Sequence, residues 1–222
     1  MAEKIARQIL RSILDRTLRP GDRLPSERSL SSRLGVNRAS LREAIKSLEQ
    51  LGLVHTRQGD GTRVMDFMSH AGVELLQHLL PLAVAESPEL LGDLQEVRVV
   101  LGREVARLAA RRAEPEDLVE LRRTCKERGE RQLSPRELLK LDMEVFAGLA
   151  RASHNRVVQL LVNSIRSAVA LQPDLFAPLM PSPELVFAHH QALIERLAAQ
   201  DAEGAAALTE SFLSEMETRV GR

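Results

Sequence analysis

GVNRASLREAIKSLEQLG, from Gly35 to Gly52, carries two stripes on one helix. Leu41, Ile45 and Leu48 recur at helical spacing and form an apolar stripe. Arg38, Arg42 and Lys46 recur every four residues and form a basic stripe on another side. Asn37 suits the N-cap, and Gly52 is a natural stop. Cations that begin in the first turn oppose the helix dipole, which favours anions there. Either the stripe is a solvated face, the usual fate of a run of charge, or the helix end meets an anionic partner.

The flanking residues favour the partner. Residues 4–17 place Ala6, Ile9, Leu10, Ile13 and Leu14 on one helical face, and Pro20 and Gly21 break that helix. SERSLSSRLG predicts a short second helix with Ser26 as N-cap, Leu30 and Leu34 as its buried side, and Gly35 as its stop. Two residues, Val36 and Asn37, then connect it to the basic helix, which makes a helix-turn-helix. After Gly52, LVHTR and TRVM read as two strands around the turn QGDG, so a β-hairpin wing follows. Its glycines let the wing backbone approach another surface closely.

In a helix-turn-helix the second helix enters the major groove with its N-terminal residues against the base edges. Those residues here are Arg38, Ala39, Ser40 and Arg42. Arg pairs bidentately with guanine, Ser is permissive, and Ala39 suits a thymine methyl. Arg28 on the preceding helix and Gln58 and Gly59 at the wing tip are further candidates for contact with double-stranded DNA.

The charge distribution supports two domains with different partners. The net charge of the 222 residues is zero, but residues 1–65 hold thirteen Lys and Arg against seven Asp and Glu, a net of +6, and the remainder is therefore −6. The expected division is a winged helix at 1–65, a linker at 66–71 and a second domain at 72–222. With five Phe and no Trp or Tyr, the cores must be aliphatic. Cys125 is alone, no apolar run is long enough for a membrane span, and the N-terminus lacks a signal-peptide core. These features predict a cytosolic protein with no membrane partner.

From Gly72 onward no strand is predicted. Successive stretches such as PELLGDLQEVRVVLGREVARLAARRA, NRVVQLLVNSIRSAVALQ and PELVFAHHQALIERLAAQ have helical period. Ser134, Pro135 and Glu137 spell a cap, a first-turn proline and a capping-box glutamate. The predicted fold is mainly α: a winged helix-turn-helix with a small β-hairpin, followed by an all-α bundle of about seven helices.

Leu18 to Val64, with PGDRLPSER, NRASLREAIKSLEQLGLV and GDGTRV, resembles the DNA-binding domain of GntR-family bacterial transcription regulators. The resemblance implies operator contacts from Arg28, Arg38, Arg42 and Gly59. Asp60 departs from relatives that carry a basic residue in the wing, a change expected to weaken the minor-groove contact. LQEVRVVLGREVARLAARRA, LDMEVFAGLARASHN and HHQALIERLAAQDAEGAA resemble the helical effector domain, called FCD, of the FadR subfamily. That implies a homodimer on a palindromic operator, with a small-molecule effector in the helical domain.

Many such domains hold a metal on an Asp, a His four residues later and two further His. The matching positions here are Asp142, Phe146, His190 and Phe212. Phe cannot coordinate a metal, so no metal or other cofactor is expected; Asp142 and His190 alone make a poor site. They are expected to form a buried hydrogen-bonded pair, and His189, about 100° around the helix from His190, to be partly exposed. Arg98 is expected to meet an anion, either an effector or an internal partner such as Asp142. The expected effector residues are thus Arg98, Asp142, Phe146, His190 and Phe212. The likeness to FadR-group regulators and the two Phe point to a fatty acyl-CoA or fatty acid; a small organic acid held with a metal is the alternative. A DNA binder without a ligand is a further reading. No Ser-His-Asp signature, phosphate loop or HExxH motif points to an enzyme.

Overall fold

Helix α1 (Ala2–Leu14) and helix α3 (Arg38–Gln50) supply the core of the first unit, because each carries an apolar face at helical spacing. Ile5, Ile9, Leu10 and Ile13 of α1 pack with Leu41, Ala44, Ile45 and Leu48 of α3, all buried. The structure is a computed structural model and describes residues 1–129 and 133–220. It divides into two compact units, Met1–His78 and Leu79–Arg222.

Helix α1 stops three residues before the expected Thr17. The Asp15 carboxylate accepts from the Thr17 amide at 2.9 Å, and Arg16 adopts a left-handed φ of 60°. This local turn competes with the helix for the same backbone groups. Helix α2 (Glu27–Leu34) starts where Ser26 caps it and ends at Gly35, whose φ of 64° is left-handed. Leu30 and Leu34 are only half-buried; Ser31 is the buried residue of this helix. This eight-residue helix is little more than two turns long, so the face it packs on α3 holds few side chains.

Strands β1 (Val54–Arg57) and β2 (Gly61–Val64) pair antiparallel, with Val54 opposite Val64 and Arg57 opposite Gly61. Sequence reading treats Pro20 and Gly21 as a simple break. In the structure the next residues run along β2: Gly21 N–H donates to Val64 O at 2.8 Å, Val64 N–H to Asp22 O at 2.9 Å, and Leu24 N–H to Thr62 O at 2.8 Å. Arg23 forms an antiparallel bridge with Arg63. The residues after β2 fold back on the same unit. Asp66 caps the one-turn helix α4 (Phe67–His70), and the His70 carbonyl sits 2.6 Å from where a side chain on Gly52 would begin.

The second unit holds helices α5 (Leu76–Glu86, which begins in the first unit), α6 (Pro88–Arg112), α7 (Pro115–Gly129), α8 (Pro135–Ala152), α9 (Arg156–Leu171), the one-turn α10 (Pro173–Phe176), α11 (Pro183–Ala198) and α12 (Ala202–Val220). Seven are longer than one turn, and no strand occurs in this unit among the described residues. Ser134 and Glu137 form the predicted capping box at the start of α8. Val105, Leu121, Leu141, Val145, Val162, Leu193 and Leu197 lie in one aliphatic core. At Gly102 the chain of α6 comes so close to α12 that an added Cβ would sit 2.6 Å from Leu213. Among the described residues, no helix is long and apolar enough to cross a membrane.

Candidate DNA-reading face and effector cluster

The first turn of α3 is fixed by Asn37, whose Oδ1 accepts from the Ser40 amide at 2.7 Å. Arg38, Ala39, Arg42 and Lys46 are exposed, and Ser40 is half-buried. Arg28 is exposed on α2. Among the described residues Arg28, Arg38 and Lys46 make no ion pair. Arg42 does: its Nε donates to Glu27 Oε2 at 2.7 Å, from α3 to the first turn of α2.

Two further carboxylates shape this face. Glu49 near the end of α3 accepts from the Thr56 amide at 2.8 Å and lies 3.3 Å from His55 Nδ1, which ties the hairpin to the helix. Asp60 is not an isolated negative charge in the wing. Its two oxygens accept from Arg63 at 2.7 and 2.8 Å, and Arg63 also donates to the Gly21 carbonyl at 3.0 Å. The hydrogen bond from Arg63 holds the Asp60 carboxyl below the usual carboxylate range. Gln58 and Gly59 stay exposed at the tip, Gly59 with a φ of 84°. Sequence reasoning missed Glu27, Glu49 and Arg63, because each acts on a residue outside its own helix or strand.

In the helical unit, α8 and α11 meet through a buried pair. His190 Nε2 lies 3.1 Å from Asp142 Oδ1, with the side chains 3% and 13% exposed. Burial pushes Asp142 up, but the hydrogen bond and charge of His190 and the charges of Arg98 and His189 outweigh it and hold the carboxyl low. Burial alone would lower His190; the hydrogen bond to Asp142 and the nearby Cys125 thiol instead push it up to about 9. No hydrogen bond of normal geometry reaches its Nδ1 from the described residues. Arg98 of α6 is half-buried, and burial holds it below the usual arginine range against the pull of Asp142. The cluster thus pairs a carboxylate held low with a histidine pushed up, and Arg98 acts on the same carboxylate.

His189 differs from its expected partly exposed setting. It is buried and stacks on Phe212 of α12, with ring centroids 4.0 Å apart and planes 4° from parallel. Its ring lies 5.9 Å from that of His190, and Phe212 of α12 covers it. Burial, then the charge of His190, pushes it down to about 4. Its Nδ1 also lacks a partner among the described residues, as does Oε1 of the buried Gln95 on α6. Phe146 packs against the main core.

The donor set does not fit the metal that the family resemblance suggests. Asp142 and His190 use each other as partners, and Phe146 and Phe212 offer no donor atom. Among the described residues no group of three or more His, Cys, Asp and Glu side chains could hold an ion. A cleft of about 530 Å³ opens on a different face of α8, toward α9, lined by residues including Lys140, Met143 and Arg166.

A winged helix with an exposed cationic helix, followed by a helical unit with a charged cluster, is the arrangement of a DNA-binding regulator. Residues 1–64 match the bacterial regulatory proteins of the gntR family, and residues 93–215 match the FCD domain. The chain belongs to the GntR family, in the group that carries an FCD domain. An uncharacterised HTH-type transcriptional regulator of Mycobacterium tuberculosis is 33% identical over 98% of this chain and 88% of its own length. The Glc operon transcriptional activator of Escherichia coli is 34% identical over 74% of this chain and 65% of its own. A putative L-lactate dehydrogenase operon regulatory protein of Escherichia coli is 29% identical over 100% and 87%. The solved structure of Lar, which controls the Listeria monocytogenes agr system, shares the fold with a TM-score of 0.60 at 20% identity, over 100% of this chain and 97% of that one.

Proposed function

We propose that the protein is a homodimeric transcription regulator that reads a pseudo-palindromic operator and changes its operator affinity when the helical unit binds a carboxylic acid. Two recognition helices must reach grooves on one face of a duplex, which calls for a two-fold site. The observation that carries the effector class is the cluster of the half-buried Arg98 with the buried His190 and Asp142, with Nδ1 of His189 and of His190 unpartnered among the described residues. A protonated His190 has a second N–H to donate, and an acid group is the acceptor that Arg98 and this N–H both suit.

The polar content of the cluster favours a small, hydrogen-bonding acid. A long acyl chain laid across these groups would desolvate their charges and offer no acceptor to Nδ1 of His190. The relative named for an L-lactate dehydrogenase operon points the same way. Phe146 and Phe212 favour the second reading, a fatty acid or acyl-CoA whose chain meets the two rings.

Fluorescence anisotropy on a selected operator separates these readings. L-lactate, glycolate, citrate, decanoate and an acyl-CoA are titrated with and without chelator. Under the first reading a small acid shifts operator affinity, the chelator does nothing, and Arg98→Ala or His190→Ala removes the response. A shift from the acyl ligands alone supports the second reading. No shift from any acid overturns both.

A further inference from the structure

We infer that Glu27 is a positioning residue for Arg42, fixing the guanidinium as a fork for one guanine of each half-site. This rests on the reading of α3 as the helix that enters the groove. Ser26 caps α2 and so places Glu27 in its first turn. The left-handed Gly35 then turns the chain so that α3 lies beside α2, bringing Arg42 to Glu27 across fifteen positions of sequence. Among the described residues only Nε of Arg42 is engaged, at 2.7 Å, and the Arg42 side chain is 69% exposed. Both terminal nitrogens are left for a partner outside the protein. Guanine offers O6 and N7 at the spacing those two nitrogens match.

An ion pair this exposed adds little to stability, so its effect lies elsewhere. A free arginine samples many rotamers, and ordering them costs affinity at the moment of binding. Glu27 removes part of that freedom beforehand. Its negative charge also faces the phosphates, which weakens binding to any sequence that does not engage Arg42. Both effects raise specificity, and they do so at the expense of total charge attraction.

The two effects give Glu27→Gln a signature that simple damage to the fold lacks. The full-length chain is titrated with its selected operator, a scrambled duplex, and operators substituted at each guanine in turn. For Glu27→Gln, the ratio of operator to scrambled affinity falls about tenfold while scrambled affinity holds or rises. The preference for guanine is lost at a single position of each half-site, and Glu27→Asp restores part of it. A ratio within twofold of the unaltered protein overturns the inference, as does a parallel loss on both duplexes with a lowered Tm. Arg42→Ala separates the two levels of the argument. If it binds the operator like the unaltered protein, the placement of α3 is wrong. If it loses the guanine preference while Glu27→Gln keeps it, only the positioning role fails.

Discussion

Nε2 of His190 on α11 stands 3.1 Å from Oδ1 of Asp142 on α8, and the ring beside it, His189, stacks on Phe212 of α12. Two adjacent histidines therefore sit at opposite ends of the titration range, one pushed up to about 9 and the other down to about 4.

This opposition gives stability a maximum in pH. His190 is raised above its ordinary value, so its contribution is complete below about 6.5 and is lost as pH rises through about 9. His189 is lowered, so below about 6.5 the unfolded chain takes up a proton that the folded chain refuses until about 4. Asp142 is lowered, so its contribution is lost as pH falls through its folded value. Calorimetric melts should be most stable near pH 6.5, with each histidine limb worth on the order of 3 kcal/mol. His190→Gln should flatten the alkaline limb, and His189→Phe the acid limb between 4 and 6.5. Unchanged limbs would show that these rings do not control the profile.

Arg38→Ala should weaken operator binding by about 1–3 kcal/mol if the arginine pairs with a base. Binding by the unaltered protein should fall steeply with salt through counterion release. Sedimentation should show two subunits per operator. A monomer bound one to a site would rule out the two-fold arrangement.

Arg63→Ala removes the link from the wing to the Gly21 carbonyl and frees Asp60. Amides of Gly21, Leu24 and Val64 should exchange faster, and operator affinity should fall. Exchange as slow as in the unaltered protein would mean that backbone pairing alone holds the wing.

Gly52→Ala should destabilise the first unit by roughly 1–3 kcal/mol. The backbone there has a φ of 70°, and the new Cβ would lie 2.6 Å from the His70 carbonyl, which is backbone and cannot swing aside. A melt indistinguishable from the unaltered protein would show that α4 shifts without cost.

Phe146→His with Phe212→His should raise zinc affinity, because it supplies two nitrogens to join Asp142 and His190. Metal analysis after dialysis reads the result. Stoichiometric metal in the unaltered protein would contradict the argument from its donor set.

Much of this architecture is legible because it is local. The stripes of α3, its Asn37 cap and the Ser134–Glu137 box lie within a few residues of each other, where helical period and capping chemistry are decisive. Glu27 and Arg42 pair across two helices, with no period to reveal them. The stretch from Gly21 to Leu24 is too short and too close to Pro20 to read as extended, and only its bridge to β2 makes it so. The position of His189 on its own helix cannot show that Phe212 of α12 covers it. Asp142 and His190, forty-eight positions apart, were legible through family resemblance and not through spacing.

The Gly21–Leu24 pairing has a mechanical consequence. A free hairpin would flex about its base, whereas this one is stitched along its second strand to the segment that leads into α2. Three stretches, near residues 22, 55 and 63, should open and close to solvent as one cooperative body. The loop between Leu14 and Gly21 is then the place where extra residues can be inserted without disturbing how the wing is aimed, whereas an insertion between Asp22 and Pro25 would turn the wing itself.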